Sequence, residues 1–329
     1  MNLAMKKNVF SLGIDTSNYK TSAAVTASDG EILFNFQKFL DVKSGERGLR
    51  QSEALFQHVQ KLPEAIEQAF ETAGVRGNIG AVAVSSRPRP VDGSYMPVFT
   101  AGLGAAEMIS SALGVPMYEF SHQEGHIEAV KHYSSMAETG RLICFHFSGG
   151  TTEAILCDEE EGIFEIVGGS LDLAYGQVLD RTGVALGFDF PCGQEVDRLA
   201  LSASVTGTCR AEKKNILTRI KIKDGYVNLS GIETQCQRII KEQSMSLEEL
   251  SSELMMNLSR SVLDMTLFLA EKYRIDSFLY AGGVSCSEYL RNYVKKNLPD
   301  NIQTAFGRPE LSSDNAVGIS LLGGKKIWL

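Results

Sequence analysis

Two stretches decide how this chain reads. The first is Val9-Phe-Ser-Leu-Gly-Ile-Asp-Thr-Ser-Asn-Tyr-Lys-Thr-Ser-Ala-Ala-Val25, and the second is Leu142-Ile-Cys-Phe-His-Phe-Ser-Gly-Gly-Thr-Thr-Glu-Ala-Ile-Leu156. Each is an apolar strand, a turn of small or hydroxyl residues, and a second apolar strand, which is a hairpin pattern. Each continues past an acidic turn, Asp29-Gly30 in one and Glu161-Gly162 in the other.

Working outward, each hairpin is followed by the same series. Residues 49–72 carry apolar residues at helical spacing (Leu55, Val59, Leu62, Ile66, Ala69) and lead into the strand Ala81-Val-Ala-Val84. Residues 246–273 are likewise helical and lead into Ser277-Phe-Leu-Tyr280. Helices over about 99–113 and 287–297 then lead into short strands at 115–119 and 302–306. Strands alternating with helices predict α/β layers. Two copies of such a unit predict the duplicated actin/hexokinase/Hsp70-like fold, two lobes around a nucleotide cleft, with an ordinary doubly wound α/β enzyme as the alternative. The predicted lobes are 1–136 and 137–329, the second carrying a mostly helical insertion over about 171–241.

Composition sets bounds. The 329 residues are 43% hydrophobic and 22% charged, enough for a large core in one or two domains. No apolar run approaches a membrane span, and the start of the chain lacks a signal-peptide pattern, so a cytoplasmic protein is expected. The six cysteines, Cys144, Cys157, Cys192, Cys209, Cys236 and Cys286, form no CxxC pair and read as reduced thiols. A formal net charge of -8 argues against holding nucleic acid through a whole-surface field, though a local basic patch is compatible with it.

Candidate chemistry gathers at turns. In Ser148-Gly149-Gly150-Thr151-Thr152 two glycines and two hydroxyls follow a buried strand, so successive N–H groups could cradle a phosphate; a plain hairpin turn is the alternative. Ala281-Gly282-Gly283-Val284-Ser285 follows a strand and opens a helix, where a flat ligand or an anion could dock; a plain strand–helix turn is the alternative. His122-Gln-Glu-Gly-His126 places two imidazoles on one helical face, able to share a metal ion or to sit idle on the surface. A third ligand is required, and Asp314 of Ser313-Asp314-Asn315-Ala316 is the candidate, with an N-cap as its other reading; zinc, iron or manganese would suit such a set. Asp15, Asp180 and Asp197, with Gly193 in a turn between the last two, could orient a ribose or a magnesium ion, or serve as caps.

Taken together these motifs resemble the TsaD family, the tRNA adenosine threonylcarbamoyltransferases once called glycoproteases. The resemblance runs from about residue 10 to 323. It rests on the His-x-Glu-Gly-His pair, Ser148-Gly149-Gly150, Leu171-Asp172 followed by Gly176 and Asp180, Pro191-x-Gly193, Leu229-Ser230-Gly231, Ala281-Gly282-Gly283-Val284 and Ser313-Asp314-Asn315. It implies that His122, His126 and Asp314 hold one divalent ion, iron or zinc, and that Ser148, Gly149, Gly150, Thr151 and Thr152 contact phosphates or the metal-bound ligand. It implies further that Asp180 and Gly193 meet a ribose, with Asp197 beside them, while Gly282, Gly283 and Ser287 lie at the adenine. The ligand would be ATP, AMP or threonylcarbamoyl-AMP. The implied partners are the tRNA anticodon loop and other proteins of the modification complex.

This chain departs from the family at several places. The first turn, usually Glu-Thr-Ser-Cys-Asp-Asp/Glu-Thr, reads Asp15-Thr-Ser-Asn18-Tyr19-Lys20-Thr21, so Asp15 and Lys20 stand at the implied reaction centre and two acids are gone. The Arg-Gly-Pro-Gly loop becomes Arg87-Pro88-Arg89-Pro90, stiffer and more basic; Thr151 stands for a usual histidine, Ser287 for a usual asparagine, and Glu233 for a lysine. A catalytically altered paralogue, binding nucleotide and metal as a regulatory or assembly partner, is the alternative to a transferase. A small-substrate kinase is a third reading. The metalloprotease pattern is matched only superficially, because Glu124 is in the wrong place and a glycine, Gly125, lies inside the pair.

Overall fold

A computed structural model describes residues 9–328 except 18, 43–48, 73, 92, 162, 207–215 and 313. Asn18, Gly162, Cys209 and Ser313 therefore lie outside the described residues. The chain divides into two units, Met1–Tyr133 with Glu310–Leu329, and Ser134–Pro309.

The first unit runs β1 (Phe10–Asp15), β2 (Lys20–Thr26), β3 (Ile32–Phe39), α1 (Gln51–Glu71), β4 (Ile79–Arg87), α2 (Phe99–Leu113), β5 (Met117–Ser121) and α3 (His122–His132). Its five-stranded sheet has the order β3-β2-β1-β4-β5. β1 pairs antiparallel with β2 and parallel with β4. Leu12 and Ile14 of β1 meet Val82 and Val84 of β4 and Leu62 and Ala69 of α1 in one core. The buried stripe of α1 is Ala54, His58, Leu62, Ala65 and Ala69. It is rotated from the predicted one, and Val59 is 55% exposed. The cause is polar: His58 Nδ1 lies 2.9 Å from the Thr21 hydroxyl on β2, which draws the imidazole inward in place of the valine.

The second unit repeats the order with β6 (Arg141–Phe147), β7 (Thr152–Asp158), β8 (Ile163–Ser170), α4 (Tyr175–Ala185), α5 (Gly193–Thr206), β9 (Tyr226–Val227), α6 (Ser230–Glu242), α7 (Leu247–Tyr273), β10 (Ser277–Ala281), a 3-10 turn (Gly283–Cys286), α8 (Glu288–Asn297) and β11 (Gln303–Phe306). Its sheet order, β11-β10-β6-β7-β8-β9, is the first sheet's order with one short strand added. Phe145, Phe147, Phe278 and Tyr280 build its core with Leu254, Leu258 and Val262 of α7. The predicted insertion contributes α4, α5, β9 and α6.

The chain then forms α9 (Pro309–Ser312) and α10 (Val317–Lys325). The predicted division into 1–136 and 137–329 needs correction here, because α10 belongs to the first unit. Ala316, Val317 and Leu321 bury against Ala24 of β2, Ile319 packs with Ala83 and Phe120, and Ser320 Oγ donates to the Ser11 carbonyl at 2.7 Å. An almost wholly apolar nine-residue helix has no other way to cover its surface. Among the described residues, Cys144, Cys157, Cys192, Cys236 and Cys286 are free thiols, and no helix is long and apolar enough to cross a membrane.

Candidate metal centre and nucleotide-binding turns

In the first unit, β5 ends at Ser121, which caps α3. Its hydroxyl accepts from Glu124 N at 3.2 Å, while the Glu124 carboxylate accepts from Ser121 N at 2.6 Å. This capping box was legible as Ser-x-x-Glu. It occupies Glu124 at the helix start and puts His122 and His126 one turn apart on the same face.

Their Nε2 atoms lie 3.0 Å apart. Asp314 Oδ1 lies 3.4 Å from His122 Nε2 and 3.7 Å from His126 Nε2. Asn315 shapes the turn that presents Asp314, donating to the Leu311 carbonyl at 2.6 Å and accepting from Val317 N at 3.0 Å. Asp314 is thus released from the capping role that its position also permitted.

Three donor atoms with separations of 3.0 to 3.7 Å fit one coordination sphere. Bonds of about 2.1 Å put neighbouring ligands about 3.0 Å apart in an octahedron and about 3.4 Å apart in a tetrahedron. A mixed N/O set of this kind suits zinc or iron.

Asp15 stands behind this triangle, fully buried. Its Oδ2 lies 2.7 Å from His122 Nδ1, and its Oδ1 accepts from Ser17 N at 2.9 Å. With the proton held on Nδ1, Nε2 keeps its lone pair for an ion. Burial alone would lower the His122 pKa, but the carboxylates of Asp15 and Asp314 raise it to about 10. Burial would raise Asp314, yet the two imidazoles hold it well below the usual carboxylate range. His126 is lowered, by burial and then by the charge on His122.

Lys20 begins β2 and is almost buried. Its Nζ donates to Gln37 Oε1 at 2.8 Å and sits 4.5 Å from the centre of the Phe39 ring. Both partners lie on β3 and were not read as part of any site.

In the second unit, Ser148 organises the glycine turn. Its Oγ accepts from Gly150 N at 3.3 Å and from Thr151 N at 3.0 Å, so a phosphate arriving there would displace these bonds. Thr152 Oγ1 accepts from Tyr175 N at 2.9 Å and ties the turn to the start of α4. Asp180 accepts from Cys192 N at 2.8 Å, beside Gly193 at the start of α5, and burial raises its pKa.

Asp197 and Ser287, 90 residues apart, form one cap. The Asp197 carboxylate accepts from Ser287 Oγ at 2.5 Å, Glu288 N at 2.9 Å and Tyr289 N at 3.3 Å, and Ser287 Oγ accepts from Leu290 N at 3.0 Å. Both side chains thus hold the start of α8. Gly282 has φ +87°, and a Cβ there would meet the Phe147 carbonyl oxygen at 2.3 Å; at Gly283 nothing lies within 4 Å of such an atom.

Two motif fragments also meet. Asp172 accepts from Leu173 N at 2.6 Å, Leu229 N at 2.7 Å and Ser230 N at 3.0 Å. Burial opposes ionisation, but these donors bring its pKa down to about 2.

Comparison with known proteins finds relatives of this chain. Residues 36–321 fit the family described as TsaD, tRNA N6-adenosine threonylcarbamoyltransferase. The tRNA N6-adenosine threonylcarbamoyltransferase of Geobacillus thermodenitrificans is 31% identical, covering 98% of this chain and 93% of its own length. That of Bacillus subtilis is 28% identical, covering 98% and 91%. Among solved structures, T. kodakarensis HypF superposes with a TM-score of 0.59 at 12% identity over 99% of this chain, which spans about half of HypF (49%). A Streptomyces griseus ROK family glucokinase gives 0.52 at 14% over 96% of this chain and 99% of its own, and the Acidaminococcus fermentans (R)-2-hydroxyglutaryl-CoA dehydratase component A gives 0.56 at 15% over 97% and 98%. These distant likenesses speak to the fold, which is the duplicated actin/hexokinase/Hsp70-like one.

Proposed function

The chain belongs to the tRNA N6-adenosine threonylcarbamoyltransferase family, and on that premise we propose that it transfers the threonylcarbamoyl group of threonylcarbamoyl-AMP to an adenosine of the tRNA anticodon loop, using one divalent ion, iron or zinc. The observation that carries this reading is the triangle of His122, His126 and Asp314. When bound, such an ion supplies Lewis acidity toward the carbamate carbonyl. Asp15 orients His122, and Asp314 balances the imidazoles' charge. The 148–152 turn and Gly282 with Gly283 would receive the phosphate and adenine of the adenylate, with Asp180 and Gly193 at its ribose. The adenosine amine adds to the carbonyl carbon and gives up a proton to solvent, the bond from that carbon to the phosphate oxygen breaks, and AMP leaves. Such a reaction belongs in the cytoplasm, beside the proteins that make the adenylate.

Lys20 supports a second reading, a catalytically altered paralogue that binds metal and nucleotide as a regulatory or assembly partner. Where the family carries a carboxylate, this cation is held by Gln37 and the Phe39 ring.

One experiment separates the two. The protein is incubated with threonine, bicarbonate, ATP, the adenylate-forming enzyme and an unmodified tRNA transcript, and the nucleosides are analysed. A transferase yields threonylcarbamoyladenosine, and His122→Ala or Asp314→Ala abolishes both that product and the bound metal, about one equivalent in the parent. Metal-replete protein that yields no modified adenosine sinks the transferase reading, and full metal content in both variants sinks the metal assignment.

A further inference from the structure

Arg291 stands one turn into α8, outside the motifs that marked the nucleotide turns. Its guanidinium is used as a fork. Nε donates to the Ser285 carbonyl at 2.6 Å, and Nη2 donates to the Gly307 carbonyl at 2.6 Å. The guanidinium carbon lies 5.5 Å from the centre of the Phe306 ring, which stacks in turn on Tyr280 at 4.4 Å. Ser285 belongs to the 3-10 turn Gly283–Cys286, and Gly307 follows β11. One side chain therefore ties that turn to the end of the neighbouring strand.

The turn is fixed at its other end as well. Gly282 packs on the Phe147 carbonyl so closely that no Cβ fits there. Ser285 closes the turn on itself, its N and Oγ both donating to the Gly282 carbonyl, at 3.0 and 2.7 Å. Between these two anchors lies Gly283, where an added Cβ would have nothing within 4 Å. A turn pinned on both sides of an open glycine is ordered before a ligand arrives, which lowers the cost of binding.

Arginine suits this task for a physical reason. Hydrogen bonds from an ionised donor are roughly twice as strong as neutral ones, and a planar fork holds two acceptors at a fixed separation, which a lysine ammonium cannot do. Resting on the reading that adenine packs at Gly282 and Gly283, we propose that Arg291 is a positioning residue for the nucleotide. By holding the Ser285 and Gly307 carbonyls together, it sets the surface of the 283–286 turn on which the base lies.

The test measures AMP binding to the full-length protein by calorimetry. Arg291→Met keeps an apolar stem over Phe306 but removes both donors, and it is expected to raise the AMP Kd about tenfold. Arg291→Lys should lose less, because one carbonyl stays within reach; it also carries the comparison if Arg291→Met folds poorly. Arg291→Ala should recover part of its affinity when methylguanidinium is added, a rescue that a general loss of packing does not give. Metal content should stay parental in all three. Parent-like AMP affinity in Arg291→Met and Arg291→Lys, with Gly283→Val still weakening binding, overturns the role of Arg291 alone. So does a weakened Arg291→Met that also loses metal while Arg291→Ala shows no rescue, because the residue would then only support the fold. Parent-like affinity in Gly283→Val as well, or a parent protein that binds no AMP, overturns the adenine reading and the role of Arg291 together.

Discussion

A carboxylate behind a ligating imidazole fixes its tautomer and strengthens it as a ligand, and Asp15 occupies that place 2.7 Å from His122 Nδ1. Asp15→Asn should keep the volume and the fold but lower metal affinity by 10- to 100-fold, about 1.4 to 2.7 kcal/mol. Competition against a chelator of known affinity measures this, and an unchanged constant would remove Asp15 from the centre. The family resemblance implied Asp15 at the reaction centre; in the structure it is buried with Oδ2 2.7 Å from His122 Nδ1, a place from which it can orient that imidazole. The i, i+4 histidine pair was readable because helical spacing alone dictates it. Whether Asp314 would turn toward those histidines or cap a helix depended on Asn315, which takes over the local hydrogen bonds.

At the scale of elements, the turn between β10 and α8 separates two adjacent glycines. Gly282 is held by its positive φ and by the Phe147 carbonyl, so Gly282→Ala should lower stability by about 2 kcal/mol or more, read as a drop in melting temperature. Gly283 faces open space, so Gly283→Val should fold normally. If adenine packs there, it should weaken ATP or AMP binding about tenfold, or 1.4 kcal/mol. Calorimetry on a folded Gly283→Val variant that binds as the parent does would send the nucleotide elsewhere. Asp197 and Ser287 show why element-level reading stops short. A cap built from residues 90 positions apart leaves no local pattern, so both side chains read equally well as ligand contacts.

In the whole molecule, the last twenty residues return to the first unit, bringing Asp314 to the histidines of α3. The closest approach is at Gly318, where an added Cβ would sit 1.8 Å from the Gly125 carbonyl oxygen. Gly318→Val should therefore force α10 off α3, costing about 3 kcal/mol or more, and should lower melting temperature and metal content together. Differential scanning calorimetry with elemental analysis checks this, and a variant with parental metal content would show that α10 does not hold the centre in place. The duplicated order of strands and helices, the approximate bounds of the helices and strands that follow each hairpin, and the helical histidine pair were all determined by the sequence alone, because periodicity and turn chemistry are local. The return of α10 to the first sheet, the inward rotation of α1 around His58, and the different partners met by Asp15, Asp197 and Asp314 were decided only by tertiary structure. Each depends on which distant surface a helix or carboxylate meets, and burial and hydrogen bonding set that only once the chain is packed.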